Sequence, residues 1–344
     1  MALFSRKLTA VSSACAVLLA TALGPAATLH HAHAKSFTIA FVPKLINIDY
    51  FSSMRDAGLA YCKANGCTYL YEGPTTADAA AQVRFIKQLI AQHVDAIIVA
   101  PDDPAVVAPS LKQAEAQGIK TLAADTDATG TVRRVFVNQG LAEQIGTATI
   151  DALAKGMNYQ GDWAIDSCGP AAQNLNSWIA VEKARALKIY PKMHLIALIY
   201  SGENTAKSVA DTKDLITTHP TLKGVIGQCG LAAPAVAQAV TDLHKIGKIV
   251  ATGVSWPGLM RPYIKNGATP AFPFWDVYKL GLLSAWAADQ LIHGKSFAAS
   301  NNVPGVGPAV VYDPATKNLL LGKPVVFDKS NIDKASDLGH IAGS

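Results

Sequence analysis

Short apolar runs alternate with amphipathic stretches from residue 37 onward, which predicts alternating strands and helices. The run Ala96–Val99 is apolar at every position, as in a strand that is buried on both faces of a sheet. The strands predicted in this part are Phe37–Val42, Thr68–Tyr71, Ala96–Val99, Thr121–Ala124 and Val135–Val137, and the helices are Phe51–Asn65, Asp78–His93 and Val106–Gln117. Strands joined by helical crossovers predict a parallel, doubly wound α/β sheet.

The same alternation begins again after residue 160. The strands predicted here are Trp163–Asp166, His194–Tyr200, Val225–Cys229 and Ile249–Val254, and the helices are Leu175–Leu187, Ala206–Thr218 and Ala232–Ile246. A short strand, Phe272–Trp275, and a long helix, Asp276–His293, precede an irregular tail that is rich in glycine and proline. The fold class predicted is therefore α/β, with two similar doubly wound parallel-sheet lobes.

The first 34 residues have the pattern of a secretory signal peptide. Arg6 and Lys7 precede an apolar run, Leu8–Leu23, and Ala32–Ala34 has the small residues of a cleavage site. The run is short and contains Ser and Thr residues, so it suits a membrane span poorly. We therefore predict a cleaved signal peptide over residues 1–34 and a mature protein in the periplasm that begins near Lys35.

The remaining chain of about 310 residues is long for one core, so two domains are expected. The predicted signal peptide contains Arg6 and Lys7 and no acidic residue, so its removal lowers the formal net charge from +5 to +3. The basic residues are scattered rather than clustered. This small, dispersed excess does not predict binding to nucleic acid.

An even number of cysteines remains after the signal peptide, which permits disulfides in an exported protein. Cys62 and Cys67 flank a predicted helix end and lie close enough in sequence for a local bridge. Cys168 and Cys229 lie at the ends of two strands that we expect to be neighbours. Buried free thiols are the alternative for both pairs, and the spacing matches no zinc motif.

Polar and aromatic residues follow the predicted strands at their carboxyl ends, where open parallel sheets bind ligands. The candidate ligand-binding residues are Lys44, Tyr50, Phe51, Asp125, Gln173, Asn174, Gln228, Gly230, Trp256, Trp275 and Asp276. Charged and amide groups form strong hydrogen bonds with hydroxyls, and aromatic faces can cover the C–H side of a sugar. This mixture predicts a site for a small sugar or polyol, with no cofactor and no metal.

Several candidates also have a purely structural interpretation. Asp125 can cap a turn, Lys44 can be a solvated loop lysine and Asp276 can cap the helix that follows it. Trp275 can belong to the core between the lobes. Trp178 lies inside a predicted helix, so we assign it to packing rather than to the ligand.

The sequence contains no motif that predicts catalysis. It has no Gly-x-Ser-x-Gly elbow, no His-x-x-x-His pair and no phosphate-binding loop. The histidines after residue 34 fall mostly on predicted helices or helix ends, which are poor positions for a general base. We therefore predict a binding protein with no catalytic residues.

Short strings in this chain resemble those of type I periplasmic solute-binding proteins of ABC transporters. They are Phe41–Leu45, Asp125–Asp127, Asn138–Gly140, Met260–Tyr263, Trp275–Val277 and Pro304–Gly307. The branch that they resemble contains the autoinducer-2 receptors and their rhamnose-binding relatives, and the resemblance covers about residues 36–330. It implies a three-segment hinge between a first lobe (36–139 plus 277–298) and a second lobe (140–276 plus a crossing tail, 299–344).

The resemblance also implies roles for individual residues. The autoinducer-2 receptors contact their ligand through a first-lobe lysine and aspartate, which Lys44 and Asp125 match. The second-lobe positions depart from that pattern. An Asp-Gln pair is Asn174–Leu175 here, or Gln173–Asn174 after a shift of one residue; a proline is Gln228 and an alanine is Gly230. These departures favour a sugar or polyol over autoinducer-2.

The predicted function is capture of a small sugar-like solute between two lobes and its delivery to the membrane subunits of an ABC permease. We expect the protein to act as a monomer. One alternative is an autoinducer-2 receptor for uptake, or for signalling through a membrane chemosensor. A second alternative is an exported enzyme that modifies a sugar.

Overall fold

The computed structural model describes residues 36–340, which form two α/β lobes. The predicted signal peptide at residues 1–34 lies outside the described residues, as do residues 341–344 of the tail. No helix within residues 36–340 has the length and apolar character needed to cross a membrane. The predicted two-lobed fold class is confirmed.

The first part of the chain alternates strands and helices. Its elements are β1 (Thr38–Val42), α1 (Asp49–Asn65), β2 (Thr68–Tyr71), α2 (Ala79–Ala91), β3 (Ala96–Val99), α3 (Pro104–Ala116), β4 (Lys120–Ala124) and β5 (Phe136–Asn138). These strands pair in parallel in the order β5-β4-β3-β1-β2. Because successive side chains on a strand point to opposite faces, Ile39 and Phe41 join one apolar cluster whereas Ala40 and Val42 join another.

The second part of the chain repeats this architecture. Its elements are α4 (Ala142–Gly156), β6 (Gly161–Ser167), α5 (Gln173–Ile189), β7 (Met193–Tyr200), α6 (Thr205–Thr218), β8 (Leu222–Gly227), α7 (Ala232–Asp242), β9 (Val250–Gly253), α8 (Pro257–Asn266) and β10 (Ala271–Phe274). A parallel sheet of order β7-β6-β8-β9 forms its centre. Helices α4 and α5 pack together, as do α6 and α7, and each pair contributes to a different apolar cluster of this lobe.

The chain then returns to the first lobe. The remaining elements are α9 (Val277–Ile292), β11 (Ser300–Val303), β12 (Gly307–Asp313), β13 (Asn318–Leu320), β14 (Val325–Asp328) and a 3-10 turn (Ile332–Lys334). Helix α9 packs against α1 and over β3, β4 and β5. Gly281 of α9 makes this approach possible, because a Cβ atom there would lie 2.6 Å from Met54 O.

The tail corrects part of the expected lobe division. We assigned residues 299–344 to the second lobe, but β13 pairs in parallel with β5, and β12 and β11 follow as antiparallel strands. Residues 300–320 therefore extend the first sheet to eight strands. The chain reaches the second lobe only at β14, which pairs with β10. It thus crosses between the lobes after β5, after β10 and after β13.

Most predicted elements are present, with ends that differ by a few residues. Helix α7 ends at Asp242 rather than at Ile246, and α3 begins at Pro104. Two helices, α4 and α8, were not predicted. Proline at the first helical position of α8 is favourable, but a second proline, Pro262, obscures its pattern.

Candidate functional site

A cavity lies between the lobes, at the carboxyl ends of the strands of both sheets. Its lining residues are Lys44, Ile48, Tyr50, Phe51, Asp125, Asn174, Leu175, Trp178, Glu203, Cys229, Gly230, Leu231, Val254, Trp256, Phe274 and Trp275. The lining is mostly aromatic and aliphatic, with a few polar groups.

Asp125 is the central polar group on the first-lobe side. It follows β4 directly and has a left-handed backbone conformation, with φ of 65°. Tyr50 donates a hydrogen bond from its hydroxyl to Asp125 Oδ1 at 2.8 Å, and Trp275 Nε1 donates to the Tyr50 hydroxyl at 3.0 Å. Thr126 Oγ1 donates to Asp125 Oδ2 at 3.1 Å. Burial, and then the nearby Asp125 charge, raise the pKa of Tyr50, so its phenol stays a hydrogen-bond donor.

Lys44 connects the two sides of the cavity. It follows β1 and is 4 % exposed. Its Nζ lies 3.8 Å from Asp125 Oδ2 in the first lobe and donates to Asn174 Oδ1 in the second lobe at 3.2 Å. Asn174 lies in the first turn of α5. This ammonium therefore links the lobes directly, and the two lobes close around the cavity.

Aromatic rings form most of the remaining wall. Trp275 lies edge-on to Trp178, with ring centroids 5.8 Å apart, and stacks on Phe274 at 4.7 Å. Gly230 leaves room for Trp256, because a Cβ atom at residue 230 would lie 2.5 Å from that ring. Rings fixed in this way offer flat apolar faces to a ligand.

The structure brings most of the predicted contacts to this cavity. The predicted residues that line it are Lys44, Tyr50, Phe51, Asp125, Asn174, Gly230, Trp256 and Trp275. Gln173 instead lines an adjoining cavity and donates from Nε2 to Thr129 Oγ1 at 2.9 Å.

Gln228 and Asp276 do not line the cavity. Neighbouring side chains at a strand end point in opposite directions, so Cys229 faces the cavity and Gln228 is fully buried behind it. Gln228 Nε2 donates to Glu182 Oε1 at 3.0 Å. Asp276 caps α9 by accepting from the Lys279 amide at 3.0 Å. Its other oxygen lies 2.7 Å from His340 Nδ1, which supports the structural alternative for Asp276.

Sequence reasoning missed several lining residues. The residues missed are Ile48, Leu175, Trp178, Glu203, Cys229, Leu231, Val254 and Phe274. Trp178, which we assigned to packing, is buried and also faces the cavity. Glu203 follows β7, a strand after which we named no candidate. The strand-end rule that found Asp125 would also have found Glu203.

Both cysteine pairs form disulfides in the structure. Cys62–Cys67 joins the end of α1 to the residue before β2, and Cys168–Cys229 joins the ends of the paired strands β6 and β8. The second bridge lies at the cavity wall, because Cys229 lines the cavity. It holds two strand ends of the second lobe together beside the site.

Two α/β lobes with a cavity at their facing strand ends define a two-lobed ligand-binding protein. The chain belongs to the periplasmic binding protein domain family, whose model matches residues 39–296. This family is made of binding proteins. The resemblance to type I periplasmic solute-binding proteins is thereby confirmed.

Individual relatives are similar along most of their length. The D-ribose/D-allose-binding protein of Pseudomonas aeruginosa is 23 % identical over 306 residues, covering 85 % of this chain and 92 % of the relative. A solute-binding protein from Clostridium phytofermentas with bound L-rhamnose is 29 % identical, with a TM-score of 0.81 and coverage of 86 % and 97 %. The autoinducer-2 complex of LsrB from Clostridium saccharobutylicum is 24 % identical, with a TM-score of 0.80 and coverage of 87 % and 99 %, and shows the fold alone.

Proposed function

We propose that this protein is the periplasmic substrate-binding component of an ABC importer and that it captures a small sugar or polyol. Relatives named for ribose and allose binding, and a similar structure with bound L-rhamnose, support the ligand class. The family is periplasmic, which agrees with the export signal predicted at residues 1–34. The ligand leaves chemically unchanged and passes to the permease.

The observation that carries this proposal is the convergence of Lys44, Asp125 and Asn174 within an aromatic cavity. The first two come from the first lobe and the third from the second lobe, so a ligand between them would contact both. Such a ligand favours the closed form only through contacts that are lost when the lobes separate. Lys44 and Asp125 can each form charge-assisted hydrogen bonds with hydroxyl groups.

The energy available from these groups is sufficient for a transport protein. A micromolar dissociation constant corresponds to about 8 kcal/mol. Hydrogen bonds to charged groups contribute about 1.5–3 kcal/mol each, and burial of the ligand's C–H face against aromatic rings adds to this. Three or four such contacts therefore account for much of the affinity.

Mass spectrometry of the ligand that co-purifies with the protein tests this proposal. Ligand-free protein is then titrated by calorimetry with pentoses, hexoses, 6-deoxyhexoses, polyols and autoinducer-2. We expect one sugar or polyol to bind with at least micromolar affinity, to raise the melting temperature and to be recovered unchanged. Recovery of a chemically altered sugar would favour the enzyme alternative. Selective binding of autoinducer-2 would favour the receptor alternative.

A further inference from the structure

We propose that Glu203 is a specificity-determining residue and that it selects a sugar or polyol that carries a primary amine. This inference rests on the proposed function for the polyol part of the ligand. The amine would lie on the second-lobe side of the cavity, beside the Cys168–Cys229 disulfide.

Glu203 lies where the ligand cavity meets a neighbouring cavity. It follows the carboxyl end of β7 and is partly buried. It lines the ligand cavity and also the adjoining cavity, whose wall contains Asp102 and Asn204.

The Glu203 carboxylate has no hydrogen-bond donor or ion-pair partner within residues 36–340. Cys229 Sγ lies 3.8 Å from its Oε2. Cys229 forms a disulfide with Cys168, so its sulfur carries no hydrogen to donate. Asp125 differs in this respect, because Tyr50 and Thr126 both donate to its oxygens.

The charges around the cavity are unbalanced. Its charged lining residues are Lys44, Asp125 and Glu203, which sum to one negative charge. Lys44 is already engaged by Asp125 and Asn174. The adjoining cavity adds Asp102 and has no lysine or arginine among its described lining residues. Acidic groups that line a cavity attract cations and repel anions.

Burial of a carboxylate that has no partner costs free energy, because the charge loses its hydration. Burial is the largest cause that raises the pKa of Glu203, and the charges of Asp102 and Asp125 reinforce it against the opposing effect of Lys44. A ligand ammonium would supply the missing counter-charge and charge-assisted hydrogen bonds. The rings of Trp178, Trp256 and Trp275 also line this cavity, and tryptophan faces attract cations.

Matched pairs of ligands test the inference. The probes are glucose, galactose and mannose with their 2-amino and 6-amino derivatives, titrated by calorimetry near pH 7, where these primary amines are mostly protonated. We expect at least one aminated sugar to bind about tenfold more tightly than its parent, a difference of about 1.4 kcal/mol. In Glu203→Gln this ratio should fall to about one, because the amide carries no charge to pair with the ammonium.

The control variant is Glu143→Gln, which removes an exposed carboxylate in the first turn of α4 and should leave the preference unchanged. Circular dichroism and melting curves show whether each variant is folded. The inference is wrong if every neutral parent binds as tightly as its amine, or if Glu203→Gln keeps the preference. Either result leaves the proposed function standing. Binding of no carbohydrate at all would instead contradict the proposed function.

Discussion

Asp125 has a backbone conformation that most residues avoid, and its side chain is the most highly connected acceptor in the cavity. The left-handed region costs a β-branched residue more than it costs Asp or Asn, which can adopt it as single residues. Such strain concentrates at ligand-binding positions. Here it turns the carboxylate toward Tyr50 and Lys44 directly after β4.

Replacing Asp125 by Asn should therefore weaken ligand binding without unfolding the protein. Asn tolerates the same φ but lacks the negative charge, so charge-assisted hydrogen bonds worth about 1.5–3 kcal/mol are lost. We expect affinity to fall about tenfold to a hundredfold in calorimetry. Asp56→Asn, at an exposed ion pair on α1, serves as the control. Wild-type affinity in Asp125→Asn would remove this residue from the binding site.

Glu182 is a carboxyl group buried in the second lobe, away from the cavity lining. It is fully buried, and desolvation raises its pKa to about 8. In the unfolded chain the same group ionises near its usual value of 4.5. Between these values the folded state retains a proton that the unfolded state has lost. This group therefore lowers the free energy of unfolding as the pH rises through that window.

Glu182→Gln should make stability less dependent on pH. The amide cannot ionise, so the variant avoids a loss on the order of 1.4 kcal/mol for each pH unit within the window. Melting temperatures measured between about pH 5 and about pH 8 should fall less for the variant than for the wild type. Glu143→Gln, an exposed change, should follow the wild type. Parallel curves for Glu182→Gln and wild type would contradict the prediction.

The strand-end rule located cavity residues best where a residue directly follows a strand. Lys44 and Asp125 closely follow β1 and β4 and line the cavity, whereas Asn174 reaches it from the first turn of α5. Gln228 also follows a strand, but its side-chain direction depends on the residue at which pairing stops, and sequence patterns locate strand ends only to within a few residues. For Asp276 the sequence allowed two interpretations, a helix cap or a ligand contact. The hydrogen bond from the Lys279 amide of α9 identifies it as a helix cap.

At the scale of elements, the close contact between α1 and α9 depends on Gly281, which has no side chain. Gly281 lies in the interior of α9, where glycine is unfavourable by about 1 kcal/mol relative to alanine. The close approach of Met54 explains this choice, because a Cβ atom would lie 2.7 Å from Met54 Cα and 2.8 Å from Ala57 Cβ.

Gly281→Ala should therefore destabilise the protein despite its better helix propensity. Overpacking against backbone atoms forces the helices apart and costs about 1–3 kcal/mol. Urea unfolding should show a lower midpoint. Gly307→Ala is the matched control, because nothing lies within 4 Å of a Cβ atom there. A urea midpoint for Gly281→Ala at or above that of wild type would contradict the prediction, because the helices would then accommodate the methyl group with no loss of stability.

Sequence patterns predicted these elements unevenly. Strands such as β3 are apolar throughout and were predicted at their observed bounds. Helix α4 mixes glycine and threonine with its apolar positions, which weakens the periodic signal. Strands β11 to β13 pair with each other and with β5, which lies about 180 residues earlier. No local pattern encodes a partner at that separation.

For the whole molecule, closure of the two lobes involves a direct contact between them as well as the hinge. Lys44 Nζ of the first lobe donates a hydrogen bond to Asn174 Oδ1 of the second lobe at 3.2 Å. A hydrogen bond to a charged group contributes about 1.5–3 kcal/mol, which corresponds to roughly a tenfold or larger change in the ratio of closed to open forms.

Asn174→Ala should shift the ligand-free protein toward the open form. Small-angle X-ray scattering should give a larger radius of gyration for the variant than for wild type. Asn176→Ala, on the same helix, removes a side chain that donates to Pro170 O within the second lobe and should leave the curve unchanged. Identical curves for Asn174→Ala and wild type would show that this bond does not influence closure.

The overall fold was more predictable than its connections. Repeated alternation of strands and helices predicts two parallel-sheet lobes, because few other architectures bury such strands. The resemblance implied three crossings between them, and the structure has crossings after β5, β10 and β13. The tail was assigned to the wrong lobe over residues 300–320 because its antiparallel strands interrupt the α/β pattern.

The last of these crossings, at residues 321–324, offers a practical use. A short segment fixed to one rigid body at each end must change its torsion angles whenever those bodies rotate. A circularly permuted fluorescent protein inserted there would experience that change as strain on its chromophore. The chain could then serve as a genetically encoded optical sensor for its own solute.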